Sequence, residues 1–184
     1  KLVWPIQLLF SNIGWYLAYE ERVLGDKSGL FKTERIDRIS QRRIDLSIKR
    51  NRKQRDDALK KIKKLIDISG SIYFGNDLQD QENIIKASES KLVPLLKKVR
   101  FRTTENIYKF LREELKRYPI NQIRFPKKNK IELLESRKHK DTGNFTLEIL
   151  EGDSHPYPIE IYLPKWTIKD DIDFRRWIIG FREG

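Results

Sequence analysis

The chain has no cysteine and no methionine. Without thiols it can form neither a disulfide nor a thiolate metal site, which leaves burial, hydrogen bonds and ion pairs to hold it together. No hydrophobic run approaches the ~20 residues needed to cross a bilayer. Leu2 to Phe10 is apolar but short, and it lacks the layout of a signal peptide. Histidine occurs only at His139 and His155, both in polar stretches with no second His or Cys to complete a metal site. Neither a Walker loop nor a Gly-x-Gly-x-x-Gly is present. The acidic run Lys169-Asp170-Asp171-Ile172-Asp173 is better explained as the cap of a last helix than as a cation site. These absences leave no catalytic constellation, cofactor site or metal site. The expectation is a soluble, cytoplasmic protein that is not an enzyme.

What is present is positive charge. Across 184 residues, 39 Lys and Arg stand against 27 Asp and Glu, for a net charge of +12 and a pI near 9.8. Such a balance favours a polyanionic partner, nucleic acid first and an acidic membrane surface second. The length suits one or two domains with a real core. Charge is unevenly spread. Residues 1–40 hold 6 basic and 5 acidic residues, 41–67 hold 11 and 4, and 68–91 hold 2 and 4. Residues 92–130 hold 12 and 3, whereas 131–184 hold 8 and 11. A strongly basic half beside a mildly acidic one suits a polyanion-facing edge, or a dimer in which opposite patches meet.

Gly14-Trp15-Tyr16-Leu17-Ala18-Tyr19-Glu20 is answered by Phe31-Lys32-Thr33-Glu34-Arg35-Ile36-Asp37-Arg38-Ile39 across a polar connection with Gly25-Asp26 and Ser28-Gly29. Aromatic and β-branched runs joined by Gly-containing turn chemistry predict a β-hairpin. Alternation places Trp15, Leu17 and Tyr19 on one face and Tyr16 and Ala18 on the other. It also puts Arg35 and Asp37 together, with Arg38 opposite. Any one of the aromatics is as readily barrel core as ligand contact. Aromatic faces beside guanidinium groups can stack on a base and grip a phosphate. Asp37 can satisfy one of the two arginines, which leaves the other for an anion.

Val3-Trp4-Pro5, Trp15-Tyr16-Leu17 and Arg35-Ile36-Asp37-Arg38-Ile39, in that order, resemble the WYL domain, found mostly in bacterial transcription regulators. The resemblance implies a small Sm/SH3-like barrel, and a ligand site at Trp15, Tyr16, Tyr19, Lys32, Arg35 and Arg38 that takes a nucleotide or oligonucleotide. It also implies a helix-turn-helix that binds DNA. Since Lys1-Leu2-Val3 already falls inside the barrel, that element is expected outside this sequence, which would be the C-terminal portion of a longer protein. "Arg-Glu-Glu-Leu-Lys-Arg-Tyr-Pro-Ile-Asn-Gln" at 112–122, after a connector with Arg-x-x-x-Gln, is similar to WYL proteins encoded beside CRISPR–Cas loci, chiefly in cyanobacteria.

Downstream, Ala58-Leu59, Ile62 and Leu65-Ile66 recur at helical spacing among lysines, and Ser69-Gly70 supplies a stop. Ahead of them, Arg50, Arg52, Lys53 and Arg55 are the best candidates for nucleic-acid phosphate contact, set against the alternative of a solvated helix face. Ile72 to Asp77 reads as a loop with an apolar anchor, and Gln79 to Lys91 as a helix leading to Pro94. Further strands are expected at Leu95–Arg102, Gln122–Phe125, Ile131–Leu134, Phe145–Leu150 and Pro158–Leu163. Helices are expected after Thr103 or Thr104, with Ile107, Phe110, Leu111, Leu115 and Tyr118 as one stripe, and over Ile172–Phe181. Strand, helix, strands, helix suggests a split βαβ or ferredoxin-like layout, similar to the C-terminal extension of WYL regulators. That family segment normally ends in one more strand.

The fold class expected is therefore α+β: part of a WYL barrel over 1–40, a basic helical connector over 41–91, and a ferredoxin-like extension domain over 92–184. The function expected is ligand sensing and dimerisation in a transcription regulator of a CRISPR–Cas or other defence locus, as a homodimer with no membrane partner. The competing readings are constitutive nucleic-acid binding through the connector and an accessory subunit of a CRISPR assembly.

Overall fold

The computed structural model describes residues 2–11, 14–23, 29–40, 43, 49–114, 122–127, 130–133 and 147–179. Among them the chain is mixed α+β, with two small antiparallel sheets, six α-helices and no closed barrel. It divides into two compact units, Lys1–Ala87 and Ser88–Gly184.

The first unit opens with a three-stranded sheet in the order β1 (Val3–Ser11), β2 (Gly14–Glu21), β3 (Phe31–Arg35). Aromatic and branched residues favour these pleated positions. A bulge between Pro5 and Gln7 shifts the β1–β2 register, as expected where proline withholds a donor. The hairpin predicted from the sequence is present. Glu21 N–H donates to Leu30 O at 2.9 Å just beyond the last ladder pair. A Cβ on Gly29 would lie 1.7 Å from Glu21 O, so no side chain fits there. Gly25, Asp26 and Ser28 lie outside the described residues, as do Asn12 and Ile13. β3 stops at Arg35, and Ile36–Arg38 is a 3-10 turn rather than strand.

Helix α1 (Arg52–Ser69) begins at a capping box, where Asn51 Oδ1 accepts from Gln54 N–H and Gln54 Oε1 from Asn51 N–H, both at 2.9 Å. It buries Ala58, Ile62, Leu65 and Ile68, while Leu59 is exposed. It ends at Gly70, whose φ of 62° gives the left-handed cap a side chain would strain. Phe74 anchors the following loop at 2% exposure. Helix α2 (Leu78–Lys86) is N-capped by Asp77, which accepts from Asp80 N–H at 2.9 Å.

These helices are bound to the sheet. The fully buried Gln81 amide bonds Phe31 N–H and C=O and the Phe74 C=O, and Thr33 Oγ1 donates to Ile72 O at 2.9 Å. Lys64 Nζ donates to Ile85 O at 2.8 Å and Ala87 O at 2.6 Å, tying α1 to the end of α2. Burial lowers the Lys64 pKa. Residues 52–86, expected as a connector, thus pack as part of the first unit. The physical reason is that an apolar helix stripe needs a surface to cover it, and the sheet provides one.

The second unit starts with a short helix α3 (Glu89–Leu92), which takes up the end of the helix expected over Gln79–Lys91. Its sheet has the order β4-β7-β5-β6, formed by β4 (Lys97–Thr103), β5 (Ile123–Lys127), β6 (Lys130–Leu133) and β7 (Tyr157–Leu163). All neighbours are antiparallel. β4 and β5 therefore run the same way with β7 between them, and helix α4 (Glu105–Glu114) connects them as a split β-α-β. The core on one sheet face holds Tyr108, Leu111, Ile123, Phe125, Ile159, Ile161, Leu163 and Phe174, each buried apolar side chain contributing ~1.5–3 kcal/mol.

Helices α5 (Lys165–Lys169) and α6 (Ile172–Ile179) complete the described fold. Asp171 Oδ1 accepts from Phe174 N–H at 3.2 Å, the capping role expected of that acidic run. Two expectations fail. Phe110 is 51% exposed, because α4 turns Tyr108 and Leu111 inward instead. Leu147–Leu150 forms no strand, although Leu147 is buried. Leu115, Tyr118, Leu134, Phe145 and Phe181 lie outside the described residues, as does His139. Among the described residues no helix is long and apolar enough to cross a membrane.

Candidate functional site

The register of the first sheet pairs Tyr16 with Arg35 and Tyr19 with Lys32. Side chains alternate along a strand, so Tyr16, Ala18, Glu20, Phe31, Thr33 and Arg35 share one face, while Trp15, Leu17, Tyr19 and Lys32 share the other. The six residues expected to form one ligand site are thereby divided between two sides of the sheet.

On the first face Arg35 lies beside Gly14. A Cβ there would sit 3.5 Å from Arg35 Cδ and Nε, so the glycine leaves room for the guanidinium stem. Arg35 Nε donates to both Asp37 oxygens, at 2.8 and 3.0 Å. That bond raises the Arg35 pKa and holds the Asp37 carboxyl below its usual range. Asp37 satisfies one arginine as expected, and it is Arg35 that is paired. Arg38 is exposed, and its charge also lowers the Asp37 pKa. The 3-10 turn is what brings Arg38 near Asp37, where strand alternation would have sent it to the opposite face.

On the second face Trp15 is 54% exposed and meets Phe10 edge-on, with ring centroids 5.4 Å apart. Leu8 and Phe10 are exposed beside it, at 54% and 62%. Trp15 is not core. Tyr19 is buried, and Lys32 Nζ lies 3.3 Å from Glu21 Oε1.

The basic cluster at 50–55 separates into different roles. Arg50 Nη2 donates to Glu20 Oε2 at 2.7 Å, and its guanidinium lies 4.9 Å from the Trp4 ring centroid. Arg22 stands 5.4 Å from the same ring. Glu20 is buried, and its Oε1 accepts Gly29 N–H at 2.9 Å. Arg50 is therefore a structural ion-pair member, which corrects its assignment as a phosphate contact: a buried carboxylate requires a close counter-charge. Asn51 and Gln54 are occupied in capping. Arg52, Lys53 and Arg55 remain exposed, with Arg52 Nε 3.8 Å from Asp56 Oδ2.

Sequence reasoning missed Glu20, Trp4 and Arg22. The one signal available was an acidic residue closing an aromatic strand, a position where charge is costly unless paired. No protein-family model, no curated protein and no solved structure matches this chain.

Proposed function

We propose that the first unit is the ligand-sensing part of a transcription regulator of the WYL type, taking a nucleotide or oligonucleotide at Tyr16, Arg35 and Arg38. In this reading β1–β3 belong to an Sm/SH3-like barrel and the second unit is a ferredoxin-like extension. The protein is a non-enzymatic, cytoplasmic homodimer of a CRISPR–Cas or other defence locus, and a helix-turn-helix outside this sequence engages DNA. The observation that carries the reading is the pairing of Tyr16 with Arg35 across two strands beside Gly14, with exposed Arg38 in the 3-10 turn that follows. An aromatic paired across strands with one guanidinium group, with a second in the turn that follows, can stack a base and hold its phosphate. Asp37 orients Arg35 without burying it, since the arginine side chain is 30% exposed.

The test is thermal denaturation of the full chain with and without short single-stranded oligonucleotides and mononucleotides. The wild type should be stabilised by a ligand of this class, and Tyr16→Ala, Arg35→Ala and Arg38→Ala should each remove the shift. A ligand shift that survives all three substitutions would place sensing elsewhere.

A second reading, constitutive nucleic-acid binding through Arg52, Lys53 and Arg55, is favoured by their exposure in a first helical turn that has no acidic residue. Against it, Asp56 and Asp57 follow at once. Salt separates the two, because diffuse phosphate contacts lose affinity steeply with ionic strength and a stacked ligand loses less.

A further inference from the structure

β1 is an edge strand, paired with β2 alone. Two other edges are protected. The Gln81 amide bonds the backbone of β3 at Phe31, and β4 carries Lys97, Lys98, Arg100 and Arg102 within seven residues. Cover and charge are what keep sheet edges from joining one another. The outer edge of β1 has neither. Leu2 to Tyr19 contains no charged residue, in a chain of which 36% is charged. Among the described residues, no backbone hydrogen bond reaches β1 except from β2. Pro5 and the bulge after it close the first half of the strand to further pairing. Beyond them Gln7, Leu8 and Phe10 are exposed, Leu8 at 54% and Phe10 at 62%.

The open half, Gln7-Leu8-Leu9-Phe10-Ser11, reads polar, apolar, apolar, apolar, polar from either end. Such a segment is self-complementary in antiparallel pairing. A two-fold axis at Leu9, perpendicular to the sheet, sets Gln7 opposite Ser11 of the second copy, Leu8 opposite Phe10, and Leu9 opposite itself. Leu8 and Phe10 share a face with Leu17 and Trp15, their partners on β2. Pairing about that axis therefore joins two exposed apolar rows into one cluster.

We propose that this protein self-associates through β1, two copies joining their three-stranded sheets into one antiparallel sheet across a two-fold axis. The proposal names the surface of the homodimer in the reading above and rests on that reading for the number of copies alone. Two copies at +12 each repel, so their contact belongs where charge is absent. A polyanion finds no partner here, because the lysine of this face, Lys32, already lies 3.3 Å from Glu21 Oε1. A strand of unrelated sequence would meet the same backbone but not the symmetric match of side chains. Leu8, Phe10 and Trp15, each about half open, offer at most roughly 300 Å² per copy, at ~150–250 Å² for a whole large side chain. That is under half of the ~800 Å² per partner of a standard interface, and the paired edge supplies part of the rest, so the dimer exchanges with monomer.

Sedimentation equilibrium of the full chain measures the association. The average mass should rise with concentration from 22.1 kDa towards twice that value. Leu8→Lys with Phe10→Lys should keep the protein monomeric, with circular dichroism melts to confirm folding. If that variant melts early, Phe10→Lys alone should weaken association by about tenfold or more. Since the chain has no cysteine, Leu9→Cys places one thiol at the axis. Antiparallel neighbours stand ~4.5–5.5 Å apart at Cα, within disulfide reach, so oxidised glutathione should link the dimer there. Ser11→Cys sets its two thiols ~14 Å apart and should link far less. The proposal is overturned by a mass that stays at 22.1 kDa up to about 1 mM, by a folded double variant that associates as the wild type does, or by Ser11→Cys linking as fast as Leu9→Cys. The first outcome also removes the homodimer, and the other two remove only this surface. None of them bears on sensing, whose oligonucleotide shift reads Tyr16, Arg35 and Arg38.

Discussion

Gln81 lies fifty residues from Phe31 in sequence, yet its side-chain amide accepts the Phe31 N–H at 2.9 Å and donates to the Phe31 carbonyl at 2.8 Å. Phe31 belongs to β3, the edge strand of the first sheet. The amide thus stands in for a missing neighbouring strand, satisfying an edge that would otherwise be buried with open backbone groups. Gln81→Leu removes these bonds and the one to Phe74 O. Since each buried unsatisfied group costs ~1–3 kcal/mol, the expected loss is about 3 kcal/mol or more. Urea denaturation of wild type and variant measures it, and a loss below about 1 kcal/mol would show that water replaces the amide.

Arg50 and its neighbours should behave differently on mutation. Arg50→Ala leaves buried Glu20 with only Gly29 N–H among the bonds described above, and a broken buried pair costs ~3–5 kcal/mol. Because the Arg50 side chain is 18% exposed, the lower end of that range is expected. Glu20→Gln with Arg50→Met should recover much of the loss. Substituting Arg52, Lys53 and Arg55 together should leave the melting temperature nearly unchanged. Equal destabilisation by both sets would contradict this division of roles.

Trp15→Ala should cost far less than the ~3–5 kcal/mol of a buried aromatic, because the indole is more than half exposed and rests on Phe10 at the surface. Phe31→Ala, at 1% exposure, should cost the full amount. The two denaturation curves compared in one buffer give the contrast directly, and comparable losses would put Trp15 back in a core.

Glu160 and Tyr162 predict the pH limits of the second unit. Burial pushes the Glu160 carboxyl up, but hydrogen bonds from Tyr162, Arg100 and Arg124 outweigh it, and its pKa falls below the ordinary 4.5. A lowered carboxylate contributes stability above pH 4.5 that is lost as pH falls through the folded value. Burial first, then the bond to Glu160, pushes the Tyr162 hydroxyl from 10.0 up to about 12. That contribution is complete below pH 10.0 and is lost as pH rises towards about 12. Glu160→Gln should flatten the acid limb and Tyr162→Phe the alkaline limb in pH-dependent denaturation. An acid limb that persists unchanged in Glu160→Gln would assign it to other carboxylates.

Local signals in the sequence were sufficient for the hairpin at Gly14–Glu21 and Phe31–Arg35, the stop of α1 at Gly70 and the capping role of Asp171. Periodicity, turn glycines and caps act within a few residues, so they can be read without knowing the fold. The start of α1 was not read, although Asn51 and Gln54 stand at capping-box spacing, because the basic residues around them invite a phosphate-contact reading. Nor was it legible which aromatic is core. Trp15 and Tyr19 share a face and a chemistry, and only the packing around them makes one exposed and the other buried.

The sequence by itself determined most of the element types, the charge distribution and the chemistry available on each strand. The tertiary structure decided which charges meet. Arg50 joins Glu20 across thirty residues, Gln81 reaches Phe31 across fifty, and Arg100 and Arg124 converge on Glu160 from sixty and thirty-six residues away. The reason is physical: a buried ionic or amide group is tolerated only against a complementary partner. That partner is fixed by strand register and helix packing, which no short window of sequence contains.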